Sequence, residues 1–505
     1  MRTFLCVYLG AGFLAVVLTP LVIRLALHLR AVDQPGVRAV HRTPIPRIGG
    51  LAIFLAAIVM IVLVSFLDNR IGRAFRDMRE QLMTLLCSAT FVFLIGFVDD
   101  LKGLPARFKF LAELAAAGAL CFVGIRIHAI VIGDGRVLDL GSWDCLLTLL
   151  WVVGITNAVN LSDGLDGLAA GISAVACGVI AVVAMHNGVA VLAVLMLALA
   201  GALCGFLVFN FNPAKVFMGD CGSLFVGFTI AAASVLCFAK TAALVGLALP
   251  ALALAIPIFD TLFSMMRRFL DRRSLFAPDR GHIHHRLLDL GLPQRHAVLA
   301  IYLVTLLAAG LGLFMLVSDG ANSVILFVSL LFLIVLLFRA VGAVRLRETL
   351  ARLRAKSVHS RRRRKAREAF EHMQLRLRRT ADSKDRWRAI CEAAERLELV
   401  WVSLRVTNAD GGTDTSIWRR ETAAPKGGAR IVTMNLPIHD VRHDRLMEFE
   451  IAILIGDSLE SASHRAGLFS RLLEEHACAG LMIAEHPVPQ SRRKIPLSIK
   501  VSPST

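Results

Sequence analysis

The chain has 505 residues, 56% of them hydrophobic, a mean hydropathy of +0.66 and a formal net charge of +18. That much apolar surface excludes an ordinary soluble protein and requires lipid as solvent for part of the chain. The charge is uneven: 32 of the 56 Lys and Arg follow Phe338, which separates a membrane half from a basic half. Ten cysteines form no CxxC pair, so neither a disulfide framework nor a zinc ribbon is indicated.

Apolar runs of about 17–25 residues cross a bilayer as helices. Eleven are predicted, at 4–26, 49–67, 80–98, 110–126, 143–160, 168–185, 190–209, 223–239, 243–262, 297–316 and 322–338. The first follows a single early charge, Arg2. It is too long for a signal-peptide core and is read as a retained span. With the N-terminus outside, the inner loops hold 15 Lys and Arg and the outer segments seven, which orients the chain by the positive-inside rule. The odd span count leaves the basic tail in the cytoplasm.

Carboxylates at the ends of membrane helices are costly and mark function. Four loops carry them, all on the inner side. The first ends the third span in Asp99-Asp100. Two carboxylates at a helix C-terminus oppose its dipole and need a cation, for which Lys102 and Arg107 are the near candidates. Adjacent residues point about 100° apart on a helix, so the two divide labour, one toward a metal and one as a base.

The second loop reads Asn157-Ala-Val-Asn160-Leu-Ser-Asp163-Gly164-Leu-Asp166-Gly167. Asn and Asp are hard oxygen donors suited to magnesium, and the glycines let the backbone turn back on one point. The third runs from Asn210 through Pro213, Lys215 and Phe217 to Gly219-Asp220-Cys221-Gly222. Phe217 can stack on a nucleobase, although ordinary packing explains a lone Phe equally well. The fourth holds Arg267, Arg268, Arg272 and Arg273, then Asp279-Arg280-Gly281-His282-Ile283-His284-His285-Arg286. Without a nearby cysteine, its His and Arg donors suit a diphosphate better than zinc. Asp260, ending the ninth span, is ambiguous on its own.

In order, Asp99-Asp100, NAVNLSDGLDG, NPAKVFMGDCGS and DRGHIHHR resemble the cytoplasmic signatures of the polyprenyl-phosphate N-acetylhexosamine-1-phosphate transferase family. The stretch from Asp33 through His41 to Gly50 resembles it too, so the likeness covers about residues 1–340. The resemblance implies a magnesium-dependent reaction, with manganese as the substitute ion, between a UDP-N-acetylhexosamine and undecaprenyl phosphate. UMP is released.

By motif matching, Asp220 is implied as a metal ligand with Asn160 beside it. Asp99 or Asp100 would deprotonate or position the lipid phosphate, with Asp163 assisting. Asp166 and Phe217 would hold the uracil, while His282, His284, His285 and Arg280 would bind diphosphate and sugar; His41 is a further phosphate contact. Ile283 interrupts what would be a histidine triplet. This resembles the branch using UDP-GlcNAc for O-antigen, teichoic acid or capsule rather than the branch using UDP-MurNAc-pentapeptide for peptidoglycan. An ion-coupled transporter is the rival class, but it calls for mid-membrane polar groups and repeated halves.

Beyond the membrane region (1–340) come a basic helical linker (341–380), a small α/β domain (381–490) loosely like a GAF or PAS sensor, and a tail (491–505). The run Arg361–Lys365 suits anionic lipid more than nucleic acid. The domain is read as a helix at 384–397, strands at 399–406, 415–420, 430–436 and 446–455, and a helix at 462–484. The expected protein is thus an α-helical polytopic membrane enzyme of a bacterial inner membrane. Its site and its small α/β domain lie in the cytoplasm, and a homodimer is left open.

Overall fold

The computed structural model describes residues 1–34, 44–132, 136–241, 244–270, 282–314, 320–340, 370–378, 380, 382–407, 413–420, 430–440, 445–455, 459–476 and 499–502. The chain divides into two compact units, Met1–Thr349 and Leu350–Thr505.

The first unit is a helical bundle of α1 (Arg2–His28), α2 (Gly50–Ser65), α3 (Arg70–Asp77), α4 (Arg79–Lys102), α5 (Ala106–Phe122), α6 (Asp144–Ser162) and α7 (Leu168–His186). It continues with α8 (Ala190–Asn210), α9 (Gly219–Thr241), α10 (Leu244–Ala253), α11 (Ala255–Leu270), α12 (Ile283–Asp289), α13 (Gln294–Phe314) and α14 (Gly320–Ala340). Among the described residues seven helices are long and apolar enough to cross a bilayer, and nine spans result if each of two bent pairs counts as one. The bends are 103° between α2 and α3 and 77° between α10 and α11. Of the other predicted stretches, α5 has only 17 residues and carries Arg107, Lys109 and Glu113 in its first half, and the apolar helix Ile325–Ala340 is also shorter. The chain is a mostly helical, polytopic membrane protein.

Burial runs from the rim inward. The best apolar window of α1 is 28% buried, with Leu5, Leu9, Phe13 and Leu21 turned outward, whereas α8 reaches 78% and α9 reaches 94%. A helix enclosed on every side must be apolar on every side, and both are. Two short antiparallel ladders edge the bundle: β1 (Val32–Asp33) with β2 (Ile45–Pro46), and β3 (Ala129–Ile132) with β4 (Arg136–Asp139).

Backbone contact fixes where α9 starts. A Cβ on Gly50 would lie 2.2 Å from Gly222 Cα, so α2 and α9 meet main chain to main chain. Gly219 opens α9 at φ +74°, where a Cβ would meet Arg47 O at 1.9 Å, so only glycine fits. The Gly49 and Gly50 amides donate to Phe217 O (2.9 Å) and Met218 O (2.8 Å), and the Phe217 amide donates to Pro46 O (2.7 Å).

The second unit is a five-stranded antiparallel sheet in the order β6-β5-β8-β7-β9. Its strands are β5 (Leu399–Thr407), β6 (Thr413–Arg419), β7 (Arg430–Asp440), β8 (Arg445–Ile455) and β9 (Ile499–Ser502). Alternation puts Val402, Leu404 and Val406 of β5 with Met447, Phe449 and Ile451 of β8 in one core. That core also takes Ile390 and Ala393 from α15 (Ser383–Arg396), Phe469 and Leu473 from α16 (Leu459–His476), and Phe370 and Met373 from the helical residues 370–378. The stretch expected to be a tail supplies β9, paired with β7. The basic run Arg361–Lys365 lies outside the described residues.

Candidate functional site

The C-terminal ends of α4 and α6 and the N-terminal end of α9 meet in one place, and the side chains there interlock. Lys109 of α5 forms ion pairs with Asp99 Oδ2 (2.9 Å) and with Asp220 Oδ2. Asn160 Nδ2 donates to Asp220 Oδ1 (3.3 Å) and to Ser223 Oγ (2.9 Å). Ser223 Oγ in turn donates to Gly219 O (3.0 Å), which ties this constellation to the first turn of α9.

The two adjacent aspartates point to different partners. Asp99 faces Lys109 and accepts from the Leu104 amide. Asp100 caps α9: its Oδ1 accepts from the Asp220 amide and its Oδ2 from the Cys221 amide, both at 3.0 Å. A carboxylate at a helix N-terminus satisfies orphan amides and complements the dipole. Arg47 stands 3.4 Å from Asp100 Oδ1. Compensation for the pair therefore comes from Lys109, Arg47 and the start of α9. Lys102 is exposed, and Arg107 lies over the Phe108 ring.

Asn157 and Asn160 diverge as well. Asn157 Nδ2 donates to Glu113 Oε2 of α5 and to Val153 O, whereas Asn160 turns to Asp220. Just past α6, Asp163 keeps some exposed surface, yet its carboxyl is enclosed. Burial first, then the carboxylates of Asp220 and Asp100, push it up to about 7. Asp166 Oδ2 accepts from Asn212 Nδ2 (2.8 Å) and the Ala214 amide (3.0 Å), locking two motif loops together. Phe217 is half-buried, held by the main-chain bonds to residues 46 and 49.

The histidines gather around Asp260 of α11. His282 Nδ1 lies 3.0 Å from Asp260 Oδ2, and the Ile283 amide donates to Asp260 Oδ1 (2.8 Å). The His282 and His284 rings are parallel within 8° at 5.5 Å, and His285 is 4.5 Å from His284. His284 is 2% exposed, and burial brings its pKa down to about 3. A Cβ on Gly164 would meet His284 Nε2 at 2.8 Å. The histidines thus abut the loop that carries Asp163 and Asp166. His41 and Arg280 lie outside the described residues.

Lys109, Arg47, Glu113, Ser223, Asn212 and Asp260 complete this network, and none was assigned a role from sequence. Glu113 carried a usable signal, an ionisable residue within a predicted span. Lys109 immediately precedes that span. Among the described residues no three His, Cys, Asp or Glu side chains converge to hold a metal by themselves.

The family model described as Glycosyl transferase family 4 matches residues 82–238, which include Asp99, Asn160, Asp163 and Asp220. Over 290 residues the chain is 42% identical to the "Probable undecaprenyl-phosphate N-acetylglucosaminyl 1-phosphate transferase" of Bacillus subtilis, covering 57% of this chain and 78% of that relative. The chain belongs to glycosyl transferase family 4. This family 4 member is also 37% identical over 326 residues to the "Decaprenyl-phosphate N-acetylglucosaminephosphotransferase" of Mycobacterium tuberculosis, covering 60% of this chain and 80% of that one. It is 32% identical over 317 residues to the "Phospho-N-acetylmuramoyl-pentapeptide-transferase" of Desulforudis audaxviator, covering 59% and 92%. The resemblance read from the motifs is borne out, and this family 4 chain is a phosphotransferase.

Proposed function

We propose that the protein transfers N-acetylglucosamine-1-phosphate from UDP-GlcNAc to undecaprenyl phosphate and releases UMP, starting a cell-surface polysaccharide. An oxygen of the lipid phosphate forms a bond to the sugar-bearing phosphorus, and the bond from that phosphorus to the UMP oxygen breaks. The observation that carries this reading is the Asp99–Lys109–Asp220–Asn160 constellation set beside the histidine cluster. It joins a charge-dense centre to an anion-binding one.

Phosphoryl transfer asks mainly for positioning and for charge neutralisation. At the acidic centre Asp99, Asp100 and Asp220 pair with two cations, Lys109 and Arg47, and Asp163 adds a fourth carboxyl beside Asp220 and Asp100. That excess of hard oxygen donors fits magnesium, which uses one or two carboxylates and completes its shell with water and substrate phosphate. Asp220 and Asn160 would hold the ion, which when bound offsets diphosphate charge.

The chain's own groups do the rest. Asp99 orients the acceptor phosphate or takes its proton, Asp163 assists, and Lys109 keeps Asp99 and Asp220 in register. Asp100 holds the start of α9 in place. Asp166 and Phe217 receive the uracil, while His282, His284, His285 and Arg280 receive diphosphate and sugar, with His41 as a further phosphate contact.

In this reading eleven spans cross a bacterial inner membrane. The site, the linker 341–380 and the domain 381–490 face the cytoplasm, and the small domain regulates the transferase or docks a partner. Deleting residues 380–505 then changes polymer output in cells, and unchanged output would remove that role. Use of UDP-MurNAc-pentapeptide is the second reading, favoured by the Desulforudis audaxviator relative. Ile283 inside the histidine run and the 42% identity to the Bacillus subtilis relative weigh against it.

The test is UMP release by purified protein in detergent with undecaprenyl phosphate, magnesium and each UDP-sugar in turn. Release with UDP-GlcNAc that requires both lipid and magnesium supports the proposal. Release with UDP-MurNAc-pentapeptide alone transfers the protein to the second reading. No release from folded protein with any UDP-sugar overturns both.

A further inference from the structure

Asp260 holds a position that the transferase reading leaves unexplained. It sits on α11, is 5% exposed, and divides its two oxygens between different groups of one short segment. Oδ2 meets His282 Nδ1 at 3.0 Å, while Oδ1 accepts the Ile283 amide at 2.8 Å and so anchors the start of α12. His282 is itself only 6% exposed, and its ring stacks parallel to that of His284. His284 Nε2 in turn packs against Gly164 of the acidic loop. One buried carboxylate thus sets both the place and the proton arrangement of the imidazole nearest to it.

A carboxylate can only accept, so the ring proton on the Asp260 side belongs to Nδ1. The second nitrogen, Nε2, lies across the ring. When an anion reaches it, a proton there makes the ring an imidazolium between two negative groups, a charge-assisted hydrogen bond on each side. A carboxylate behind a histidine fixes the ring's orientation and tautomer in the same way at metal sites.

We propose that Asp260 is a positioning residue, acting through His282 on the diphosphate of the nucleotide-sugar donor. The inference rests on the transferase reading above. It adds that donor recognition, and not acceptor recognition, depends on this buried carboxylate.

Asp260→Asn tests it with little change of shape. The amide oxygen still accepts from Ile283, so α12 keeps its anchor, but the amide nitrogen now donates to His282 Nδ1 and inverts the tautomer. Initial rates of UMP release are measured for wild type, Asp260→Asn, His282→Ala and the double variant, varying donor and acceptor separately. The expected result is a fall of about tenfold or more in kcat/KM for the UDP-sugar, with the KM for undecaprenyl phosphate within about twofold of wild type. In the His282→Ala background, Asp260→Asn adds about twofold at most, because residues acting through one another are not additive.

The proposal is overturned if the two substitutions multiply independently, or if the KM values for donor and acceptor rise together. Asp260→Glu keeps the acceptor chemistry and is expected to recover donor kcat/KM above Asp260→Asn or, where Asp260→Asn fails to fold, above His282→Ala. Absence of that recovery counts against the proposal. A wild-type protein inactive with every UDP-sugar removes the transferase reading instead, which separates the two failures.

Discussion

The acidic cluster and the histidine cluster use buried charge in opposite ways. Around α9, Asp99, Asp100 and Asp220 share two cations, Lys109 and Arg47, and Asp163 lies close enough to feel Asp220 and Asp100. On α11 and α12, one carboxylate, Asp260, serves the His282 ring and the Ile283 amide, with His284 3.9 Å away. The first region is short of positive charge and the second is rich in donors. A bundle that placed both in one continuous low-dielectric volume without ligands would hold unpaired charge at high cost. The contact of His284 with Gly164 puts them side by side, so each supplies what the other's ligand needs: a cation site next to an anion site. That complementarity suits a metal-associated diphosphate better than either region alone.

Breaking the acidic side at its centre has the largest expected effect. Asp220 receives Lys109 and Asn160 together, so Asp220→Ala removes the shared partner. Turnover is expected to fall by about 10³-fold or more, the scale lost when a principal electrostatic group is removed. The variant still inserts, because the Asp220 amide that Asp100 caps is main chain. Full UMP release from membrane-inserted Asp220→Ala would remove the metal assignment. Lys109→Met comes next. It keeps length and apolar packing but leaves Asp99 and Asp220 facing each other, and turnover is expected to drop about 10²-fold. An increase in the magnesium concentration needed for half-maximal rate would show that Lys109 sets the register, whereas an unchanged rate would make its bridge incidental.

How much of this was legible follows from where each signal resides. Spans are visible because lipid demands long apolar runs, and the motif loops are visible because they interrupt those runs. The directions of individual side chains are not. A helix enclosed on every side, as α9 is, carries no amphipathic stripe to say which face meets which neighbour. Hence Asn157 and Asn160 read as one cluster, yet they separate toward Glu113 and Asp220. The neighbours Asp99 and Asp100 diverge as adjacent helix positions must, but Asp100 caps a helix 120 residues away, a tertiary fact that spacing cannot encode. As an inner-loop cation Lys109 is indistinguishable in sequence from ordinary positive-inside charge, which masks its two ion pairs. The strand β9 was missed because four residues beside a Pro carry too little alternation to be read, and their pairing with β7 is long-range.

The smallest effect concerns stability and sharpens the same comparison. Asp163 is held at about 7 by burial and by Asp220 and Asp100, well above the ordinary aspartate value near 3.9. A carboxyl whose folded pKa is raised favours the folded state fully below its unfolded pKa, and this contribution is lost as pH rises through the folded value. In metal-free protein the loss therefore develops between about pH 4 and pH 7. Asp163→Asn removes the titrating charge and should raise the thermal midpoint at pH 8 by a few °C, about 2–4, with roughly a third of that rise at pH 5. Magnesium should do the same for the wild type, stabilising it more at pH 8 than at pH 5, because a cation is worth most where the carboxylates are ionised. His284 makes no such demand, since burial keeps it neutral across that window. A magnesium-induced shift equal at both pH values would show that the crowded carboxylates are not where the ion acts.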